Sequence, residues 1–257
     1  MIKLETRECL LEGINVTKYF GGLAAVKDFN LKIHKGEIVG LIGPNGAGKT
    51  TLFNLITGIY RPNAGKILFL GKDLTKLSPY QICHLGIART FQLIRTFNEM
   101  TAIENAIVGG LFGNRKPYEV AKKDAVKYLE FVGLQDKDAY VRKLTPFDKK
   151  RVELASALNA EPTLLLIDEF CAGLTESEVK NATSLINKIR QRLGITVFWI
   201  EHVMKAIMNV SERIIVIHYG EKIAEGTPKE IAHNKDVISA YLGADYITED
   251  VNSAKNK

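Results

Sequence analysis

Residues 43–50 read GPNGAGKT, directly after the apolar run EIVGLI and directly before the helix-like run TLFNLI. A glycine-rich turn held between a buried strand and a helix constrains the fold more than any other segment. Glycine lets the backbone wrap closely enough to aim N–H groups at phosphate oxygens, and the following helix adds its positive end. Gly43, Pro44, Asn45, Gly46, Ala47 and Gly48 would form the cradle. Lys49 can reach the β- and γ-phosphates, the Thr50 hydroxyl can ligate Mg²⁺, and Thr51 completes the binding set.

The rest of the chain must then supply an α/β domain, and it is long enough to do so. It has 257 residues, of which 46% are hydrophobic and 25% charged, the usage of an ordinary globular protein rather than a disordered or fibrous one. No run of 18 uncharged apolar residues occurs, so no unaided membrane span is expected. The start, MIKLETREC, lacks the basic and apolar regions of a signal peptide. Cys9, Cys83 and Cys171 lie far apart and are odd in number, which supports neither a disulfide framework nor a thiolate metal site. The cytoplasm is the expected compartment. The net charge of +6 suits phosphate ligands, nucleic acid or an anionic membrane, but the basic residues are scattered and form no nucleic-acid stripe.

Strands are predicted at Leu10–Val16, Phe29–Ile33, Glu37–Ile42 and Lys66–Leu70, punctuated by glycines, and a helix over 49–58 that ends at Gly58. The middle reads as helical. Thr101 and Glu104 have capping-box spacing ahead of Ala102–Val108, and Val120, Ala121, Ala125, Leu129 and Val132 line one face of a further helix. Between them GGLFGNRKPY reads as a mobile linker. TLLLID and ITVFWI are short apolar runs suited to strands buried on both faces, joined by a helix that Thr175 and Glu178 cap. Arg213–His218 leads through a Tyr219–Gly220 turn to Lys222–Ala224, and Thr227, Pro228 and Glu230 open another helix. The expected organisation is one domain over 1–247, interrupted by a helical subdomain at about 93–160, with a frayed tail at 248–257.

A phosphate loop needs a carboxylate on a neighbouring strand end to orient Mg²⁺ and its waters. TLLLIDE supplies Asp168 for the metal side and Glu169 where a base can polarise an attacking water. ITVFWIEH places His202 just past a second strand, where an imidazole can contact a γ-phosphate or fix Glu169. Gln92, after IARTF, can sense metal or water through its amide.

In this combination the chain resembles the ATP-binding subunit of ATP-binding cassette (ABC) transporters over nearly its full length. The resemblance implies an α/β P-loop NTPase fold of the ABC ATPase type, with a helical subdomain and an N-terminal antiparallel β region. It matches GPNGAGKT to the Walker A loop, Gln92 to the Q-loop, LLLIDE to the Walker B strand with its catalytic glutamate, and His202 to the switch histidine. Phe20 in KYFGG stands at the position that stacks on adenine. ARTFQLIRTFNEMTAIEN and SAYLG are similar to segments of the LivG-like subunits of branched-chain amino acid importers. The expectations are an ATPase using ATP and Mg²⁺ at the cytoplasmic face of a membrane. Its partners would be permease subunits, a second ABC ATPase in a heterodimer and, indirectly, an external solute-binding protein; no nucleic acid is expected. The competing readings are a soluble ABC ATPase of DNA repair or translation and a weakly catalytic regulatory module.

One motif departs from the family pattern. The LSGGQ-type signature is LTPFD here, with Thr145 for the serine and Pro146, Phe147 and Asp148 for glycine, glycine and glutamine. Phe170 replaces a common proline, and Thr175 a D-loop acid or amide. Thr145, Pro146 and Asp148 still make a good helix start. Phe147 is expected to add bulk at the phosphate approach, and Asp148 a negative charge unless its cap bond or Lys149 offsets it.

Overall fold

The computed structural model describes residues 7–242. A six-stranded sheet runs in the order β10–β9–β3–β8–β7–β6. Its strands are β3 (Ile38–Ile42), β6 (Ile87–Arg89), β7 (Leu164–Asp168), β8 (Thr196–Ile200), β9 (Arg213–His218) and β10 (Glu221–Gly226). All neighbours are parallel except the β9–β10 hairpin. β3, β7 and β8 are buried at every residue, which explains why they read as continuous rather than alternating apolar runs.

Strand parity splits those side chains between two cores. Val39, Leu41, Leu164, Leu166, Phe198 and Ile200 face one side, where α1 (Lys49–Ile56) packs with a four-stranded antiparallel sheet. That sheet is β2–β1–β4–β5, built from β1 (Cys9–Phe20), β2 (Leu23–His34), β4 (Ala64–Phe69) and β5 (Lys72–Asp73). Ile38, Ile42, Leu165, Ile167, Val197 and Trp199 face the other, against α5 (Pro146–Asn159), α6 (Glu176–Leu193) and α7 (Met204–Val210). A Cβ on Gly40 of β3 would sit 2.8 Å from Ile207 of α7, so this strand is glycine where the helix crosses closest. The first hairpin is longer than expected: β1 reaches Phe20 and β2 begins at Leu23, pairing through several bulges that let polar residues continue the ladder.

Short helices α2 (Pro79–His84), α8 (Pro228–Ala232) and α9 (Lys235–Leu242) cover the margins. α3 (Ala102–Val108) and α4 (Tyr118–Phe131) pack with α5. The capping boxes at Thr101, Thr175 and Thr227 form as the sequence spacing predicts. Gly58 takes a left-handed φ of 72° just after α1. On α4, Ala121, Ala125 and Leu129 are buried as expected, whereas Val120 is exposed.

The linker expectation fails. Gly109–Gly113 is a turn of π-helix continuing α3, and its glycines are contact points. A Cβ on Gly109 would lie 1.8 Å from the Ser156 carbonyl oxygen of α5; one on Gly110 would lie 2.8 Å from Asn159 Oδ1 and one on Gly113 2.6 Å from Ala160 Cβ. Buried Asn159 donates to the carbonyls of Ala106 and Ala121, and Lys116 pairs with Asp124 at 2.6 Å and Glu161 at 2.9 Å. Small residues here serve close helix approach rather than mobility. The tail at 248–257 lies outside the described residues.

Candidate functional site

The loop between β3 and α1 wraps tightly for steric reasons. A Cβ on Gly43 would sit 2.1 Å from the Ile217 carbonyl oxygen, and one on Gly48 2.3 Å from that of Ala25, where φ is 108°. The Gly220 N–H donates to Ala47 O at 2.9 Å, pinning the β9–β10 hairpin to the loop. Lys49 is buried beneath it and donates to Gly43 O at 2.7 Å and Pro44 O at 2.8 Å. Burial lowers its pKa, while Glu169 and Asp168 oppose that shift.

The loop opens onto a cleft of about 860 Å³ whose walls include Asn45, Gly46, Ala47, Gly48, Lys49, Thr50, Thr51, Gln92, Glu169 and His202. Ten sequence-predicted residues thus meet in one place. Gly43 and Pro44 lie under the loop, engaged by Lys49. Phe20 is not among the cleft-lining residues; it stands half exposed at the end of β1, its ring edge-on to Tyr60 at 5.1 Å with Lys18 Nζ 5.4 Å from its centroid.

Glu169 is held at both oxygens. Gln92 Nε2 donates to Oε2 at 2.8 Å, and His202 Nε2 lies 2.8 Å from Oε1. Its backbone is left-handed, with φ 49°, and its N–H donates to Ile200 O at 2.9 Å. His202 thus contacts the glutamate, one of the two partners that the sequence left open for it.

Asp168 is 2% exposed at the end of β7. Its Oδ2 accepts from Arg89 Nη2 at 2.7 Å, and Arg89 Nη1 donates to Asn54 Oδ1 at 2.6 Å. Burial raises the Asp168 pKa, partly offset by Arg89. Oδ1 is buried with no protein partner. An orphaned carboxylate oxygen close to Lys49 and the loop fits a hard cation bound through water.

The divergent LTPFD segment overturns one expectation and refines another. Thr145 caps α5, accepting from Asp148 N at 3.1 Å, as predicted. Phe147, however, is 4% exposed: its ring turns inward, edge-on to Phe170 at 6.4 Å and under the Arg151 guanidinium at 4.1 Å. Its bulk is in the core, not at the helix mouth. The expected cap bond to Asp148 forms, with Thr145 Oγ1 donating to its Oδ2 at 2.9 Å, and the second partner is Arg151, whose Nη1 donates to Oδ1 at 2.9 Å, in place of the expected Lys149.

Sequence reasoning missed Arg89 and Asn54 behind Asp168, and Leu23, Ala24, Ala25 and Tyr219 on the cleft wall. Arg89 stands three residues before Gln92 in IARTFQ, and Tyr219 follows β9, but neither carries a pattern that marks it.

The description "ABC transporter" belongs to the family model that matches residues 26–172; a second, described as "Branched-chain amino acid ATP-binding cassette transporter", matches 221–247. The high-affinity branched-chain amino acid transport ATP-binding protein LivG of Escherichia coli K12 is 42% identical over 239 residues, which cover 87% of this chain and 94% of that protein. BraF of Pseudomonas aeruginosa, with the same description, is 40% identical over 249 residues, covering 91% and 98%. Among solved structures, a nucleotide-free ATP-binding cassette from an ABC transporter superposes with a TM-score of 0.84 at 31% identity, covering 92% of this chain and all of that one. With more than half of the chain matched by the family's model and its relatives aligned almost end to end, the chain belongs to the ABC transporter family, among its ATP-binding subunits.

Proposed function

We propose that the chain is the ATP-hydrolysing subunit of an importer for branched-chain or other hydrophobic amino acids or related amides. It would act as a single cassette domain over 1–247 with a helical subdomain at about 93–160. The relatives' amino-acid transport descriptions support the solute class. The observation that carries the catalytic reading is the Glu169 carboxylate suspended between Gln92 and His202 in the cleft that the phosphate loop opens.

The chain's groups divide the work. Backbone N–H groups of 45–50 and the start of α1 bind phosphate oxygens, with Lys49 moving from its loop carbonyls to the β- and γ-phosphates. Thr50 and Asp168, with Gln92, would hold Mg²⁺, which when bound neutralises charge on the phosphates. Glu169 accepts the proton of the attacking water, and His202 orients the carboxylate. Phe20, on the hairpin that also gives Leu23 and Ala24 to the cleft wall, is the ring assigned to adenine.

No described helix is long and apolar enough to cross a membrane. In this reading the chain couples to permease subunits, peripheral on the cytoplasmic face, paired with a second ATPase and linked only indirectly to an external solute-binding protein. A second, mainly apolar groove of about 450 Å³ fits the permease, with Tyr80, Phe91, Arg95, Phe97 and Phe112 on its walls; Phe112 and Phe97 are exposed there.

Glu169→Gln tests the chemistry. The amide keeps size and polarity but is a poor base, so ATP affinity by calorimetry stays within about twofold while turnover falls by about a hundredfold or more. Parental turnover in both Glu169→Gln and His202→Ala would remove the catalytic assignment.

A further inference from the structure

Behind the cleft, two buried groups of opposite charge have no part in the mechanism above. Lys150, in the second turn of α5, is 8% exposed, and its Nζ donates to the backbone oxygens of Glu169 at 3.1 Å and Phe170 at 2.8 Å. Glu201, the residue before His202, is 1% exposed. Its Oε2 accepts from Cys171 N at 2.9 Å, and its Oε1 accepts from His202 N at 3.0 Å and Val203 N at 3.3 Å.

We infer that Lys150 and Glu201 are positioning residues that fix the backbone carrying Glu169 and His202 to the start of α5. This rests on the reading of Glu169 as the base and His202 as its partner. The Glu169 backbone is left-handed, a conformation a non-glycine residue keeps only where its surroundings over-determine it. Here Ile200 O takes its N–H, Lys150 donates to its carbonyl, and Glu201 takes the N–H two residues on. Phe147 and Phe170 close the same seam from the α5 side. Each charge alone would be costly to bury; together, with five hydrogen bonds to backbone, they are tolerated. The strut also joins the helix whose N-terminus bears the divergent signature to the catalytic carboxylate of the same chain, so a shift of α5 pulls directly on the Glu169 carbonyl.

The test measures MgATP hydrolysis by the assembled complex, and ATP affinity by calorimetry and melting temperature on the full chain. Lys150→Met keeps side-chain length without donors. It is expected to lower kcat by about tenfold or more while the ATP Kd stays within about twofold, and Lys150→Arg, which retains donors, to recover at least about half of the rate. A role confined to holding the fold would not separate kcat from Kd in this way. Should Lys150→Met fail to fold, the charge-balanced Lys150→Met/Glu201→Gln double variant reads the same loss. An unchanged kcat in the folded variant, or a Kd that rises in step with the loss of rate, overturns the proposal. Glu169→Gln is measured beside them: if it is slow while Lys150→Met is parental, the positioning role alone falls, and if it hydrolyses at the parental rate the catalytic reading falls with it.

Discussion

Glu153 carries the largest pH leverage of any single carboxylate near the site. It projects from α5 into the wall of the apolar groove, and its Oε1 accepts from Phe91 N at 3.2 Å and Arg95 N at 3.3 Å, on either side of Gln92. Burial pushes its pKa up to about 7, against the pull of those two N–H groups. The unfolded chain releases this proton in the ordinary carboxylate range and the folded chain holds it to about 7, so stability falls as pH rises between those limits. Because both bonds use one oxygen, Glu153→Gln keeps them and removes the titration. It is expected to gain up to about 3 kcal/mol over the parent at pH 8 and almost nothing at pH 4.5. Denaturant titrations at several pH values check this, and parallel curves for the two proteins would count against it. Lys49 gives the second residue-scale expectation: Lys49→Ala removes a charged donor from the phosphates and weakens ATP binding by about tenfold or more in a calorimetric titration.

What could be read in advance at the scale of elements follows the range of the interactions that make them. Helix starts at Thr101, Thr145, Thr175 and Thr227 were legible because a cap involves residues three apart, and β3, β7 and β8 because burial on both faces leaves a run of apolar residues. The cleft was legible because a phosphate loop has one workable geometry, which fixes where neighbouring strand ends deliver Glu169 and His202 to its wall, with Asp168 buried at the end of β7. Contacts between distant segments left no such mark. Phe147 and Phe170 stand out as two departures from the family pattern, yet only their packing shows them as one pair. GGLFG has the composition of a linker, and its true role depends on Ser156, Asn159 and Ala160, more than forty positions away. Gly109→Ala is the direct check. The added methyl must displace the Ser156 carbonyl of α5, with a cost of about 1–3 kcal/mol in thermal or denaturant unfolding. A variant of parental stability would restore the linker reading.

The family resemblance implies cassettes that face each other head to tail; in such a pair each ATP would be shared between the catalytic half of one chain and the signature helix of the other, and the two halves of this chain would be unequally equipped. Its catalytic half, as proposed above, would use Lys49, Asp168, Glu169, Gln92 and His202. Its signature half has lost donors at the helix mouth rather than space: Pro146 has no N–H, and the N–H of Asp148 is engaged by Thr145 Oγ1. The Asp148 carboxylate, although paired with Arg151, adds negative charge in the first turn, where a phosphate would otherwise meet only the positive helix end. With Phe147 turned inward, a steric block no longer explains any weakness of that half; a shortage of donors does. In a heterodimer with a conventional partner, the site that joins this chain's Glu169 to the partner's signature should therefore carry most of the turnover. Replacing Glu169 with glutamine is expected to cost more than the same substitution in the partner, by about tenfold. Single-turnover hydrolysis by the assembled complex, with the glutamate replaced in one subunit at a time, makes the comparison. Equal losses would show that the Thr145–Asp148 helix start grips phosphate as well as a glycine-rich signature does.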